Sequence, residues 1–77
     1  MKVNNIILLE DNQKYLLLDE TIYADKKYFY AVKVTADTLQ PTEEYKFLEQ
    51  KQDTENVYVS TVEDEETSSA LLVIFTN

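Results

Sequence analysis

The sequence predicts a small domain built mainly on an antiparallel β-sheet of about five strands. Short runs of aromatic and β-branched residues recur along the chain, and polar reversals separate them. A central stretch contains two such runs joined by a very short polar segment, which is typical of a β-hairpin. The length of 77 residues leaves room for only one core.

The central hairpin is predicted over residues 14–34. Residues 15–23 and 28–34 have the composition of long strands, and the polar residues 24–27 form the reversal between them. Alternation in the second arm assigns its side chains to two faces of the sheet. One face would carry Tyr28, Tyr30, Val32 and Val34, and the other Phe29, Ala31 and Lys33.

The strand before this hairpin is predicted at residues 5–10, an apolar run that ends in a polar turn. It would pair with the start of the next strand and complete a three-stranded meander. Asp19 and Glu20 interrupt the second strand, and two adjacent carboxylates favour a bulge or an exposed bend there. Simple alternation places the apolar residues of this strand in two sets. These sets are Leu16, Leu18 and Ile22, and Tyr15, Leu17 and Tyr23.

The second half of the chain predicts two further strands. Residues 35–44 contain the only proline and are predicted to be a loop. Residues 45–49 alternate, with Tyr45 and Phe47 on one face and Lys46 on the other. After the polar turn 50–56, the β-branched residues 57–62 predict a fifth strand paired with the fourth.

The tail of the chain is compatible with either a helix or a strand. The acidic residues 63–66 would suit the positive end of a helix dipole, and Leu71, Ile74 and Phe75 could form a buried stripe. Residues 73–76 nevertheless have strand propensity, and periodicity cannot distinguish the two within a short apolar run. Residue patterns alone therefore leave both structures open.

The order of these features resembles the family called domain of unknown function 1292, small acidic proteins of low-GC Gram-positive bacteria and their mobile elements. The resemblance is carried by residues 6–34, IILLEDNQKYLLLDETIYADKKYFYAVKV, and by residues 59–66, VSTVEDEE. It implies a helix after the acidic cluster, so that the expected fold becomes α+β with one C-terminal helix. The family is uncharacterised, and the resemblance supplies no catalytic residues.

Composition restricts the function. Fifteen acidic residues against seven lysines give a net charge of −8, which disfavours direct binding to nucleic acid and favours a basic partner. The alternative is that the acidity only keeps a β-rich protein in solution. Glycine is absent, so no Gly-rich phosphate loop is present, and turns with positive φ must use the next most tolerant residues. The candidates are Asp11, Asn12, Asp25, Asp53 and Asn56.

Enzymatic chemistry has few candidate groups in this chain. Histidine, cysteine and arginine are all missing, which excludes the Ser-His and Cys-His nucleophile systems. A carboxylate pair could support hydrolysis, but a chain of this length leaves little room for a cleft. The acidic cluster lacks the alternating ligands and the glycine of an EF-hand. We therefore expect no enzymatic activity, no cofactor and no specific metal site.

The location expected from the sequence is the cytosol of a bacterial host. No apolar run approaches the roughly 20 residues of a membrane span, and the first residues are too weakly apolar for a signal peptide. The absence of cysteine fits a reducing compartment. We expect neither a membrane nor a nucleic acid as direct partner.

Two functional hypotheses follow. The first is a non-enzymatic binding module whose acidic surface engages a basic, nucleic-acid-binding partner, as a phage or mobile-element inhibitor of a host nuclease or defence system that mimics nucleic acid. The residues predicted to bind the partner are Asp19, Glu20, Asp25, Glu43, Glu44, Glu63, Asp64, Glu65 and Glu66. The alternative is a structural or assembly protein that forms a homodimer through an edge strand or the apolar tail and has no foreign partner.

Overall fold

The computed structural model describes residues 2–76 and shows the predicted α+β fold, a curled antiparallel sheet followed by one helix. The strands follow one another in sequential order across the sheet. Their bounds are β1 Ile6–Leu8, β2 Lys14–Tyr23, β3 Lys26–Val34, β4 Pro41–Gln52 and β5 Val57–Thr61, and the helix α1 is Glu65–Thr76. Within residues 2–76, no helix is both long enough and apolar enough to span a membrane.

The fourth strand is longer than predicted at both ends. β4 begins at Pro41, within the predicted loop 35–44, because proline is tolerated as the first residue of a strand. It continues to Gln52, so the turn before β5 is confined to residues 53–56. The polar side chains of the predicted turn 50–56 are accommodated because this end of β4 is paired only with β5 and stays largely exposed.

Of the bulge or exposed bend predicted at Asp19 and Glu20 in β2, the structure has a bulge, but the alternation predicted beyond it is wrong. The pairing of β2 with β3 shifts register between Leu17 and Asp19, so each later side chain changes face. Tyr23 therefore lies on the same face as Tyr28, with 6.3 Å between the ring centroids. Ile22 lies on the face opposite Leu16 and is 74% exposed.

One face of the sheet, which we call the inner face, contains the main core. Its buried residues come from β2, β3, β4, β5 and the turn that follows β1, and the curl of the sheet brings them together. They are Leu9, Tyr15, Leu17, Phe29, Ala31, Leu48 and Val59, with the half-buried Ile7 packed against them. The buried cluster includes no residue of α1.

The opposite face, which we call the helix face, packs against α1 through aromatic rings. Phe75 stacks on Tyr30 and Phe47, at centroid distances of 5.7 and 5.8 Å. Leu71, one helical turn earlier, is fully buried. Ile74 is still 36% exposed, so Leu71 and Phe75, without Ile74, form the buried stripe.

Turns without glycine are formed partly by the predicted residues. Asn12 and Asp25 have positive φ as expected, whereas Asp11, Asp53 and Asn56 are not among the positive-φ residues of the described chain. Asp53 instead accepts hydrogen bonds at one carboxylate oxygen from the N–H groups of Glu55 and Asn56, at 2.9 and 2.7 Å. Three residues outside the predicted set also have positive φ. They are Asn4, Ala24 and Leu39.

Candidate functional site

The lysines of this chain are largely engaged in ion pairs with carboxylates of the sheet. Within residues 2–76, four lysines lie within 4 Å of a carboxylate oxygen. The pairs are Lys26–Glu49, Lys27–Glu20, Lys33–Glu44 and Lys46–Asp11. Such exposed pairs contribute little to stability, but they locally compensate the acids that they contact. The excess negative charge is therefore concentrated on the other carboxylates.

The nine acids predicted to bind the partner differ in whether they form an ion pair with a lysine. Glu20 and Glu44 are paired with lysines, at 2.9 and 3.4 Å. The other seven form no ion pair within residues 2–76, and all nine side chains are exposed. The seven unpaired acids are Asp19, Asp25, Glu43, Glu63, Asp64, Glu65 and Glu66.

Four of these seven acids are consecutive, residues 63–66, and lie at the start of α1. Burial raises the pKa of Tyr28, and the charges of Glu49 and Asp64 raise it further. Of the other three, Glu43 lies in β4 and Asp25 lies in the β2–β3 turn. We call residues 63–66, at the N-terminal end of α1, the acidic end.

The remaining predicted acids lie elsewhere. Glu44 contacts Lys33 of β3. Glu43 precedes Glu44 in β4, and Asp19 lies opposite Tyr30 in the middle of the sheet. The predicted residues are therefore distributed over β2, the β2–β3 turn, β4 and the start of α1.

Within the acidic end, Asp64 has a structural role because it caps α1. One of its carboxylate oxygens accepts hydrogen bonds from the hydroxyl and the N–H of Thr67, at 2.6 and 2.8 Å. These bonds hold the pKa of Asp64 below its ordinary value. Glu65 and Glu66 follow in the first turn, where the helix dipole favours negative charge. The start of the helix thus explains part of this cluster without a partner.

An apolar groove lies between α1 and β4, and the sequence patterns did not predict it. Its volume is about 390 Å³, and its lining is mainly aromatic and aliphatic. The lining residues include Tyr30, Tyr45, Phe47, Val62, Ser68 and Leu72. Tyr45 and Leu72 are 52% and 54% exposed, so large apolar surfaces face solvent here. The consecutive apolar residues 70–75 could have indicated this, since they cannot all face the sheet from one helix.

A smaller cavity of about 140 Å³ lies beside Asp11 and Lys46. The buried Tyr15 donates its hydroxyl to a carboxylate oxygen of Asp11 at 3.2 Å, and Lys46 lies 5.2 Å from the centre of the Tyr15 ring. The hydrogen bond from the N–H of Gln13 holds the pKa of Asp11 low, and contact with Tyr15 raises the pKa of Lys46. The arrangement thus links β4 to the β1–β2 turn through an ion pair and a hydrogen bond.

A metal site is not evident in the described part of the chain, where no group of three or more carboxylates is placed to hold an ion. No family model, curated protein or solved structure matches this sequence. The resemblance to the family named above stays a prediction.

Proposed function

We propose that this protein is a non-enzymatic binding module that engages a basic surface of a partner protein through its acidic end. The observation that supports this is the run of four consecutive acids, residues 63–66, at the start of α1, exposed and without ion pairs within residues 2–76. Elsewhere the lysines compensate several carboxylates, so the negative potential is uneven over the surface. An uneven potential of this kind steers oppositely charged partners.

A basic groove that normally holds nucleic acid is the partner surface that best matches this charge. Such grooves carry the lysines and arginines that neutralise successive phosphates, and a protein with a net charge of −8 presents comparable negative charge. The biological role that we propose is therefore that of a phage or mobile-element inhibitor, acting in the bacterial cytosol as a nucleic-acid mimic on a host nuclease or defence protein.

The test uses the full chain as bait in a nuclease-treated Gram-positive lysate, with elution by a salt gradient. We expect a stoichiometric basic protein that elutes at moderate salt and that an added DNA or RNA oligonucleotide displaces. Displacement by nucleic acid distinguishes a mimic from a protein that binds another basic surface.

Two variants of equal charge make this test specific to the acidic end. The first is Glu63→Gln/Glu65→Gln/Glu66→Gln, which retains the Asp64 cap. The control is Glu10→Gln/Asp37→Asn/Glu55→Gln, which changes the net charge of −8 by the same three units. We expect the first variant to lose the partner at lower salt than the control. Equal elution of both variants would mean that general acidity, rather than the acidic end, is responsible.

A homodimer without a foreign partner is the second candidate function. The observation that favours it is the exposed apolar surface of α1, where Leu72 and Val73 are 54% and 59% exposed. The net charge of −8 opposes it, because two copies would repel each other. Salt separates the candidates: added salt should weaken a complex with a basic partner and should strengthen a homodimer, as light scattering would show.

A further inference from the structure

We infer that the groove between α1 and β4 receives an apolar side chain from a basic, arginine-containing segment of the partner, an inference that rests on the proposed function. The groove has about 390 Å³, within the range of roughly 300–1,000 Å³ typical of ligand pockets. It would give the partner an apolar anchor in addition to the charge attraction of the acidic end. Anchors of this kind usually carry most of the binding energy in an interface.

Tyr45 provides the first reason to assign an arginine to this segment. One side of its ring stacks on Tyr30, with centroids 5.4 Å apart and planes inclined by only 10°. The side chain is nevertheless 52% exposed, so the other side of the ring faces solvent. Guanidinium groups stack on such exposed aromatic faces, where the ring quadrupole attracts a cation.

Charge next to the groove provides the second reason. Glu43 precedes Tyr45 by two residues in β4, in a part of the strand where its pairing with β3 shifts register. Glu43 is exposed and has no ion pair within residues 2–76. Its negative charge, close to Tyr45 along the strand, favours a cation over the exposed ring. The positive charge of Lys46, which lines the groove too, is compensated by Asp11 at 3.4 Å.

The same charges argue against a second copy of this chain as the occupant. Its apolar residues that could enter the groove, Leu72 and Val73, belong to a helix that begins with Glu65 and Glu66. Docking that helix would place acidic residues near Glu43, and the two chains together would carry twice the net charge of −8. A basic segment has the opposite and favourable sign.

The test measures binding of two short probe peptides to the full chain at low salt. One probe has arginines on both sides of a single leucine, and the other has serine in place of that leucine. We expect the leucine probe to bind about tenfold more tightly, which corresponds to burial of roughly half of a leucine side chain. Amide NMR shifts caused by this probe should include Tyr45, Val62 and Leu72.

Two neighbouring substitutions in α1 serve as a matched pair. Leu72→Gln removes a side chain that lines the groove, whereas Val73→Gln alters one of similar exposure that does not. We expect Leu72→Gln to abolish the roughly tenfold preference for the leucine probe, and Val73→Gln to retain it. A further variant, Tyr45→Thr, should weaken both probes because the stacking surface for arginine is lost.

The possible outcomes separate this inference from the proposed function. If both probes bind equally and Leu72→Gln has no effect, the groove is not an anchor site, although the acidic end still attracts a basic partner. If neither probe binds at low salt, the proposed function fails together with the groove. If the groove amides shift when the protein alone is concentrated, a second copy is the occupant, and the inference is wrong.

Discussion

The inner face of the sheet is closed by the sheet itself, whereas the helix face is closed by a single helix packed over part of it. On the inner face, Leu17, Phe29, Ala31 and Leu48 are fully buried within one ladder of backbone hydrogen bonds. On the helix face, Leu71 is fully buried, but Tyr45 and Leu72 remain about half exposed.

This difference separates the part of the molecule that stabilises it from the part that is available for binding. A domain of this length has a free energy of unfolding of about 4–11 kcal/mol, so either face could decide whether it folds. On the inner face the exposed apolar residues Ile22 and Val57 lie near strand ends, away from the buried core, while the helix face places exposed apolar residues beside stacked aromatic rings.

Truncating the same residue type on each face should give the largest effect and the clearest contrast. Leu48→Ala should lower the free energy of unfolding by about 4 kcal/mol and Leu71→Ala by about 2 kcal/mol, as read from urea denaturation. Strand partners hold β4 on both sides, so a cavity there cannot relax, whereas α1 can move toward the sheet. Equal losses would show that the two faces are equally rigid.

Two adjacent residues of α1 test how the helix is held on the sheet. Phe75→Ala should destabilise the protein by about 2 kcal/mol because the ring loses its stacking on Tyr30 and Phe47. Ile74→Ala, at a position that is 36% exposed, should cost less than about 1 kcal/mol. Near-UV circular dichroism should change for Phe75→Ala only. A larger loss of stability for Ile74→Ala than for Phe75→Ala would place Ile74 in the buried stripe, as the sequence predicted.

The β2–β3 turn offers a stabilising change that leaves both faces untouched. Ala24 and Asp25 both have positive φ, at 51° and 63°, a conformation that asparagine and glycine adopt more readily. Ala24→Asn with Asp25→Gly should raise the free energy of unfolding by about 1 kcal/mol. The control Ala36→Asn, at a turn residue outside the positive-φ set, should give no gain. A gain in the control would indicate a cause other than turn geometry.

The smallest effect concerns stability in acid. Hydrogen bonds hold the pKa values of Asp11, Asp53 and Asp64 below the ordinary 3.8, so the folded state favours their charged forms. The stabilisation that these charged carboxylates give the folded state is present above pH 3.8. It is lost as the pH falls through their lowered pKa values in the folded state. Thermal melting should therefore show Tm decreasing below about pH 4.

Replacing the helix cap Asp64 by a residue that does not titrate measures how much of this loss of stability in acid comes from the helix. Asp64→Asn keeps an oxygen that can cap α1 but has no carboxylate to protonate. Its Tm should fall less steeply in acid than that of the original protein, whereas the exposed control Glu55→Gln should follow the original slope. An unchanged slope for Asp64→Asn would assign the acid sensitivity to the β1–β2 and β4–β5 turns.

Local sequence patterns predicted most of the fold and little of the site. The hairpins and the bulge near Asp19 followed from alternation and from adjacent carboxylates, which are local properties. The face assigned to Tyr23 was wrong because one extra residue inverts every later position, and alternation cannot show where that residue lies. The length of β4 was underestimated because its polar ends are acceptable only when part of the strand is exposed.

The candidate site depended on contacts between distant parts of the chain. Composition indicated an acidic surface, but only the fold shows which predicted acids are paired with lysines, as Glu20 and Glu44 are, and which are not, as in residues 63–66. The groove could not be predicted from the sequence because it forms only where α1 packs against β4. Leu72 and Tyr45 both line it, and they are too far apart in the chain for a periodic pattern to relate them.

Residue patterns left the C-terminal segment open between helix and strand, and the helix was expected only from the family resemblance. The sequence by itself determined an antiparallel sheet of about five strands, their order along the chain, the excess of negative charge and the exclusion of His- and Cys-based chemistry. These follow from residue types and from spacings of a few residues. The tertiary structure decided which acids are compensated by lysines and which apolar residues of α1 stay exposed. Those properties arise because the sheet curls to enclose its own core, so the helix has only to cover part of the opposite face.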